Sequence, residues 1–139
     1  MLSSPRNGRI ATVALMLCVL AIVPACWLKL YSAREKAREA ACLSNVYGIG
    51  LACGTYANLH NGRPPHDFSD LKDAIVSTDW FICPSARDRT HCSYEFTGAT
   101  NVWGVSSNVV ILREILPNHH GKRVVLYDDG HVELAPYTH

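Results

Sequence analysis

The chain has 139 residues, with 13 Lys plus Arg against 12 Asp plus Glu and a formal net charge of +1. That balance, without an extended basic patch, excludes nucleic acid as the main partner, because phosphate binding needs clustered Lys and Arg. The length leaves room for one domain once any membrane segment is set aside.

Residues 1–9 form a short basic N-terminus carrying Arg6 and Arg9. The next nineteen residues, 10–28 (IATVALMLCVLAIVPACWL), carry no charge. A helix crossing a hydrocarbon core of ~30 Å needs about 20 apolar residues, so 10–28 are expected to form a transmembrane anchor helix. Two alternatives stay open. A cleaved secretory signal has the same basic start but a shorter apolar run. Val23-Pro24-Ala25-Cys26 also loosely resembles a lipobox in which Cys26 is lipidated, although Pro24 fits that pattern poorly. Lys29, Arg34, Lys36 and Arg38 follow the span, so charge counting alone puts the C-terminal side in the cytoplasm.

Residues 29–60 continue the anchor without a breaker and favour helix, and Glu35 with Arg38 has the spacing of a helical pair. Cys42, Val46, Ile49, Cys53 and Tyr56 form one stripe, which predicts an amphipathic helix packed along one face. Pro24 is expected to kink the helix. Gly48, Gly50 and Gly54 each cost about 1 kcal/mol relative to alanine in a helix, unless they let another element approach closely. Asn61-Gly62 and Pro64-Pro65 end the helix.

Residues 61–139 are read as a C-terminal globular α+β region. Asp67 to Val76 suits a short helix capped by Asp67 or Ser69. Trp80–Cys83, Ser93–Thr97, Asn108–Arg113, Arg123–Tyr127 and His131–Leu134 read as strands of a small antiparallel sheet. Asp129-Gly130 predicts a hairpin turn of type I′, which needs positive φ at both central residues. The fold class is therefore α+β, a long N-terminal helix on a small antiparallel sheet.

Candidate chemistry is sparse. Cys42 and Cys53 lie ~16 Å apart along the helix and cannot bond each other. Cys83 and Cys92 flank a loop that either closes as a disulfide or leaves two thiols. Cys83, Cys92 and His91 lack the usual zinc-knuckle spacing. His60 and His66 bracket a proline turn and read as solvent-facing. His119, Asp128, Asp129 and His131 could hold a hard cation such as calcium, but supply only two carboxylates where calcium takes six or more oxygens. Nothing supplies a pocket for acid and base work by Asp128 and Asp129, and no nucleophile elbow or phosphate loop is present. No catalytic, cofactor or metal residue is assigned, and no enzymatic activity or cofactor is expected.

The apolar opening helix, the segment AREKAREAACLSNVYGIGLACGTYANLHNGRPP, Phe81-Ile-Cys-Pro-Ser85 and a His-x9-Asp-Gly signature at His119 and Asp129-Gly130 stand together in this chain. In this combination it resembles bacterial type IV pilin-like proteins and type II secretion pseudopilins. The resemblance implies a subunit anchored in the bacterial inner membrane by a single pass, with its C-terminal domain outside the cytoplasm. That overrides the charge count, because sizeable domains translocate largely regardless of charge. Membrane lipid around 10–28, and self-association or other pilin-like subunits in a surface filament, are the partners it implies. The family's Gly-Phe-Thr-Leu-x-Glu processing motif is represented by Asn7-Gly8-Arg9-Ile10-Ala11-Thr12-Val13-Ala14, which keeps the glycine but lacks the phenylalanine and glutamate. A permanently anchored relative that does not polymerise, a tethered binding module or lipoprotein, is the alternative. The spacing of the signature predicts a hydrogen bond from the His119 ring to the Asp129 turn.

Overall fold

A computed structural model describes residues 5–75, 77–98, 102–104 and 106–137; before residue 15, only the side chain of Thr12 is described. The chain forms two units, Met1–Lys36 and Ala37–His139. One α-helix, α1 (Pro5–Leu59), contributes to both and includes Pro24.

In the first unit α1 turns apolar side chains outward on every side. Leu15, Leu17, Leu20, Ile22, Trp27 and Leu28 are each more than half exposed. Within α1 lies a stretch long and apolar enough to cross a membrane. Water penalises such a surface by about 25 cal/mol per Å², so a helix of this kind demands an apolar neighbour.

In the second unit α1 is amphipathic. Cys42, Val46, Ile49 and Cys53 are fully buried and Tyr56 half-buried, as the stripe predicts. The helix closes with Asn61 and Gly62 at φ of 57° and 80°, and the Gly62 N–H donates to the Ala57 carbonyl at 2.8 Å. This is a Schellman cap, which satisfies carbonyls the last turn would leave orphaned. Asp67 then caps a 3₁₀ turn, Phe68–Leu71, by accepting from the Ser69 N–H. The turn is shorter than the helix expected over Asp67–Val76, and Val76 lies outside the described residues.

A four-stranded antiparallel sheet follows in simple meander order: β1 (Tyr94–Phe96), β2 (Val110–Glu114), β3 (Lys122–Tyr127) and β4 (Val132–Pro136). The expected strand at Trp80–Cys83 is not one. Ser77 caps Asp79 and winds Thr78–Phe81 into a second 3₁₀ turn, which lays Trp80 against the helix at Gly48. A Cβ on Gly48 would lie 2.8 Å from the indole, and one on Gly50 2.9 Å from Leu126 Cδ1. The glycines therefore admit close neighbours, and tertiary contact outweighs their helix penalty. Leu71, Tyr94, Leu112, Val124 and Leu126 complete the core with the helical stripe.

The late hairpin differs in its turn. Neither Asp128 nor Asp129 has positive φ; Gly130 does, at 88°. The Gly130 N–H donates to Tyr127 O and the Tyr127 N–H to His131 O, giving a three-residue loop with a left-handed glycine bulge. The pair of positive φ values that a type I′ turn needs occurs instead at His120 (52°) and Gly121 (78°), between His119 and Lys122, which exchange both backbone hydrogen bonds. That turn sets His119 opposite Lys122, the first residue of β3.

Candidate functional site

Four side chains meet inside the second unit: Cys42, Cys83, Glu114 and His119, all buried, with one donor atom of each within 4.8 Å of the others. Each comes from a different part of the fold. Cys42 belongs to the buried stripe of α1. Cys83 follows the second 3₁₀ turn and is held by its N–H, which donates to the Ser93 hydroxyl at 2.9 Å. Glu114 ends β2, directly opposite Tyr94 of β1. His119 opens the left-handed turn into β3.

The distances define how the groups converge. Cys83 Sγ lies 3.3 Å from His119 Nε2, and Glu114 Oε2 lies 3.7 Å from the same nitrogen. Cys42 Sγ lies 3.0 Å from the Tyr94 hydroxyl. Glu114 is wholly buried, accepting from the Asn118 amide at 2.8 Å and from the Val124 N–H at 3.1 Å. Among the described residues it has no Lys or Arg partner; Arg113 pairs outward with Glu95. His119 Nδ1 is buried without a hydrogen-bond partner among the described residues.

The electrostatics follow from this crowding. The hydrogen bond with Cys83, and then the Glu114 carboxylate, raise the His119 imidazole, while burial opposes them. The neighbouring Cys42 and burial both push the Cys83 thiol up. Burial, then Cys42, raises the Tyr94 phenol.

The histidine expected to bond the Asp129 turn does not. Nε2 of His119 faces Cys83 and Glu114, and Nδ1 has no hydrogen-bond partner among the described residues. The set of His119, Asp128, Asp129 and His131 is dispersed likewise. Asp128 is buried and accepts from the N–H groups of Gly104 and Ser106 at 3.2 and 3.0 Å, anchoring the loop before β2. Asp129 is exposed and bonds the backbone and ring of His131, which stacks on Tyr127. Cys83 and Cys92 are both free thiols; Cys92 turns to the Tyr94 carbonyl and His91 to Asp88. His60 and His66 are exposed, as expected.

Spacing along the chain pairs Cys83 with its neighbour Cys92 rather than with Cys42, because metal spacing rules recognise ligands that are close in sequence. The usable signal was Cys42 itself, a thiol on the buried face of a helix facing the strands.

Residues 31–82 match the model of a family described as a protein of unknown function (DUF1559). No curated protein and no solved structure matches the chain. The matched stretch holds the amphipathic part of α1 and the Pro64-Pro65 turn; His119 and Asp129-Gly130 lie beyond it. Together with the apolar start of α1, it is compatible with a membrane-anchored, pilin-like protein.

Proposed function

We propose that this chain is a membrane-anchored, pilin-like structural subunit of a type II secretion or type IV pilus-like assembly, without catalytic activity of its own. The observation that carries the proposal is α1: one helix whose first part exposes apolar side chains all round and whose second part buries a stripe against a small sheet. An apolar helix surface can be covered by lipid or by identical helices, which is how a filament core is built. On this reading 10–28 reside in the inner membrane before assembly and the C-terminal domain lies outside the cytoplasm.

The test is crosslinking in native membranes through Cys18 and Cys26, both exposed on α1. Ladders of self-crosslinked chains are expected. Chains that stay monomeric at every crosslinker length overturn the filament part of the proposal.

A second reading is favoured by the missing phenylalanine and glutamate of the processing motif. It is a permanently tethered module that never enters a filament. The mature N-terminus decides: a chain cut after Gly8 supports the subunit, a full-length chain the tethered module, and a chain cut and acylated at Cys26 a lipoprotein.

A further inference from the structure

We propose that Cys42, Cys83, Glu114 and His119 form a structural zinc site that closes the second unit. Four observations carry it.

The donor set is the first. Two thiols, an imidazole and a carboxylate suit zinc, whereas calcium and magnesium take oxygen ligands. Geometry is the second. With zinc bonds of about 2.3 Å to sulfur and about 2.0–2.2 Å to nitrogen and oxygen, the ligand atoms of a tetrahedral site sit roughly 3.3–3.8 Å from one another. The distances from His119 Nε2 to Cys83 Sγ and Glu114 Oε2 are 3.3 and 3.7 Å.

Convergence is the third. In a nucleophilic Cys-His-acid relay the acid holds the ring nitrogen that the thiol does not use. Here thiol and carboxylate face the same nitrogen and the other has no partner among the described residues. That arrangement surrounds a point; it does not pass a proton along a line. The fourth is Glu114, a wholly buried carboxylate with no basic side chain beside it except His119 among the described residues. The Asn118 amide and Val124 N–H solvate this carboxylate without neutralising it, and a bound cation supplies the opposite charge.

On binding, the two thiols release their protons to solvent and coordinate as thiolates, and the imidazole coordinates through Nε2 with its proton on Nδ1. Two thiolates and a carboxylate leave one net negative charge around the ion. Hydrogen-bond donors stand ready for it: the Tyr94 hydroxyl beside Cys42, and the Asn118 amide and Val124 N–H on Glu114. Four protein ligands leave no open position, which marks a structural and not a catalytic site. The ion would join α1, the segment after Thr78–Phe81, β2 and the turn before β3. A small domain with a limited core gains most from such a staple.

The test uses the full-length chain in detergent, reduced and free of chelator. Elemental analysis and native mass should give one zinc per chain, and cobalt(II) substitution should give the absorption of a tetrahedral thiolate site. Reduced protein that takes up neither metal overturns the proposal, as does a mass short of two hydrogen atoms, with Cys42 and Cys83 joined as a disulfide, in protein purified without reductant. Tyr94→Phe should keep the cobalt spectrum while weakening zinc binding about 10-fold, the usual effect of losing an outer hydrogen bond. Cys83→Ser should lose the metal. Should that variant fail to fold, Cys92→Ser still decides: it must retain full zinc, and loss of zinc there would move the site to the surface loop and refute the set named here.

Discussion

Gly50 of α1 and Leu126 of β3 pack so closely that a methyl group on Gly50 would lie 2.9 Å from Leu126 Cδ1. Leu126 is fully buried, so any shift of its side chain must be taken up within the core. Gly50→Ala should therefore destabilise the chain. Overpacking costs about 1–3 kcal/mol, and the gain in helix propensity returns only about 1. At Gly54 the nearest atom, Trp103 Nε1, is 3.4 Å away, so Gly54→Ala should be neutral or stabilising by up to about 1 kcal/mol. Denaturant midpoints of the two variants in the same detergent check the contrast; equal effects would contradict it.

Asp128 and Asp129 should respond very differently to alanine. Asp128 is buried and accepts two backbone N–H groups, and hydrogen bonds to a charged group are worth about 1.5–3 kcal/mol. Asp128→Ala should cost about 3 kcal/mol and free the loop around Gly104 to exchange its amide protons. Asp129→Ala, at an exposed turn position, should cost less than about 1 kcal/mol. Thermal unfolding and hydrogen exchange measure both.

The pH response of the Cys83–Cys92 loop follows from Asp88. Its carboxylate accepts from the Thr90 hydroxyl and N–H, then from His91, and these hold its pKa down at about 2 against an ordinary 3.8. A depressed carboxylate stabilises above its unfolded value and loses that contribution as pH falls through the folded one. The contribution should be whole above pH 3.8 and fade toward pH 2. Carboxyl-carbon NMR should find Asp88 titrating near 2, moving up toward 3.8 in Thr90→Ala.

Thiol reactivity should divide by burial. Desolvation pushes Cys53 up to about 12, and Cys42 and Cys83 are enclosed as well. Because the thiolate is the nucleophile, a maleimide at about pH 8 should modify exposed Cys92 in the native chain and reach these three only after denaturation. Peptide mapping after timed labelling gives the answer; early modification of Cys53 would contradict the packing of the stripe.

Local rules carried much of the fold. The period of Cys42, Val46, Ile49 and Cys53 needs no partner to be visible, nor does the stop at Asn61-Gly62 or the cap at Asp67. Trp80–Cys83 misled because an apolar run has the same composition whether it pairs in a sheet or wedges a ring against a helix. Only Gly48, far away along the chain, distinguishes the two. The left-handed turn went to Asp129-Gly130 because Asp-Gly is the stronger local signal, whereas His120-Gly121 adopts it.

The buried cluster was the least legible part. Its members stand at positions 42, 83, 114 and 119, and their meeting depends on strand register and on the path of two 3₁₀ turns. Nine residues separate His119 from Asp129, and the contact expected from that interval is not formed. The interval measures something other than a contact.

What it measures is the length of β3. The strand occupies six residues, Lys122–Tyr127, roughly 20 Å at about 3.3 Å per residue, between the left-handed pair at His120-Gly121 and the loop closed by Gly130. Inserting or deleting one residue would exchange its two faces and turn Val124 and Leu126 out of the core. Changing the length by two would restore the faces but shift His119 about 7 Å, beyond reach of Cys83 and Glu114. The nine residues between His119 and Asp129 thus act as a ruler that tolerates no change in length, even where individual side chains on the outer face can vary.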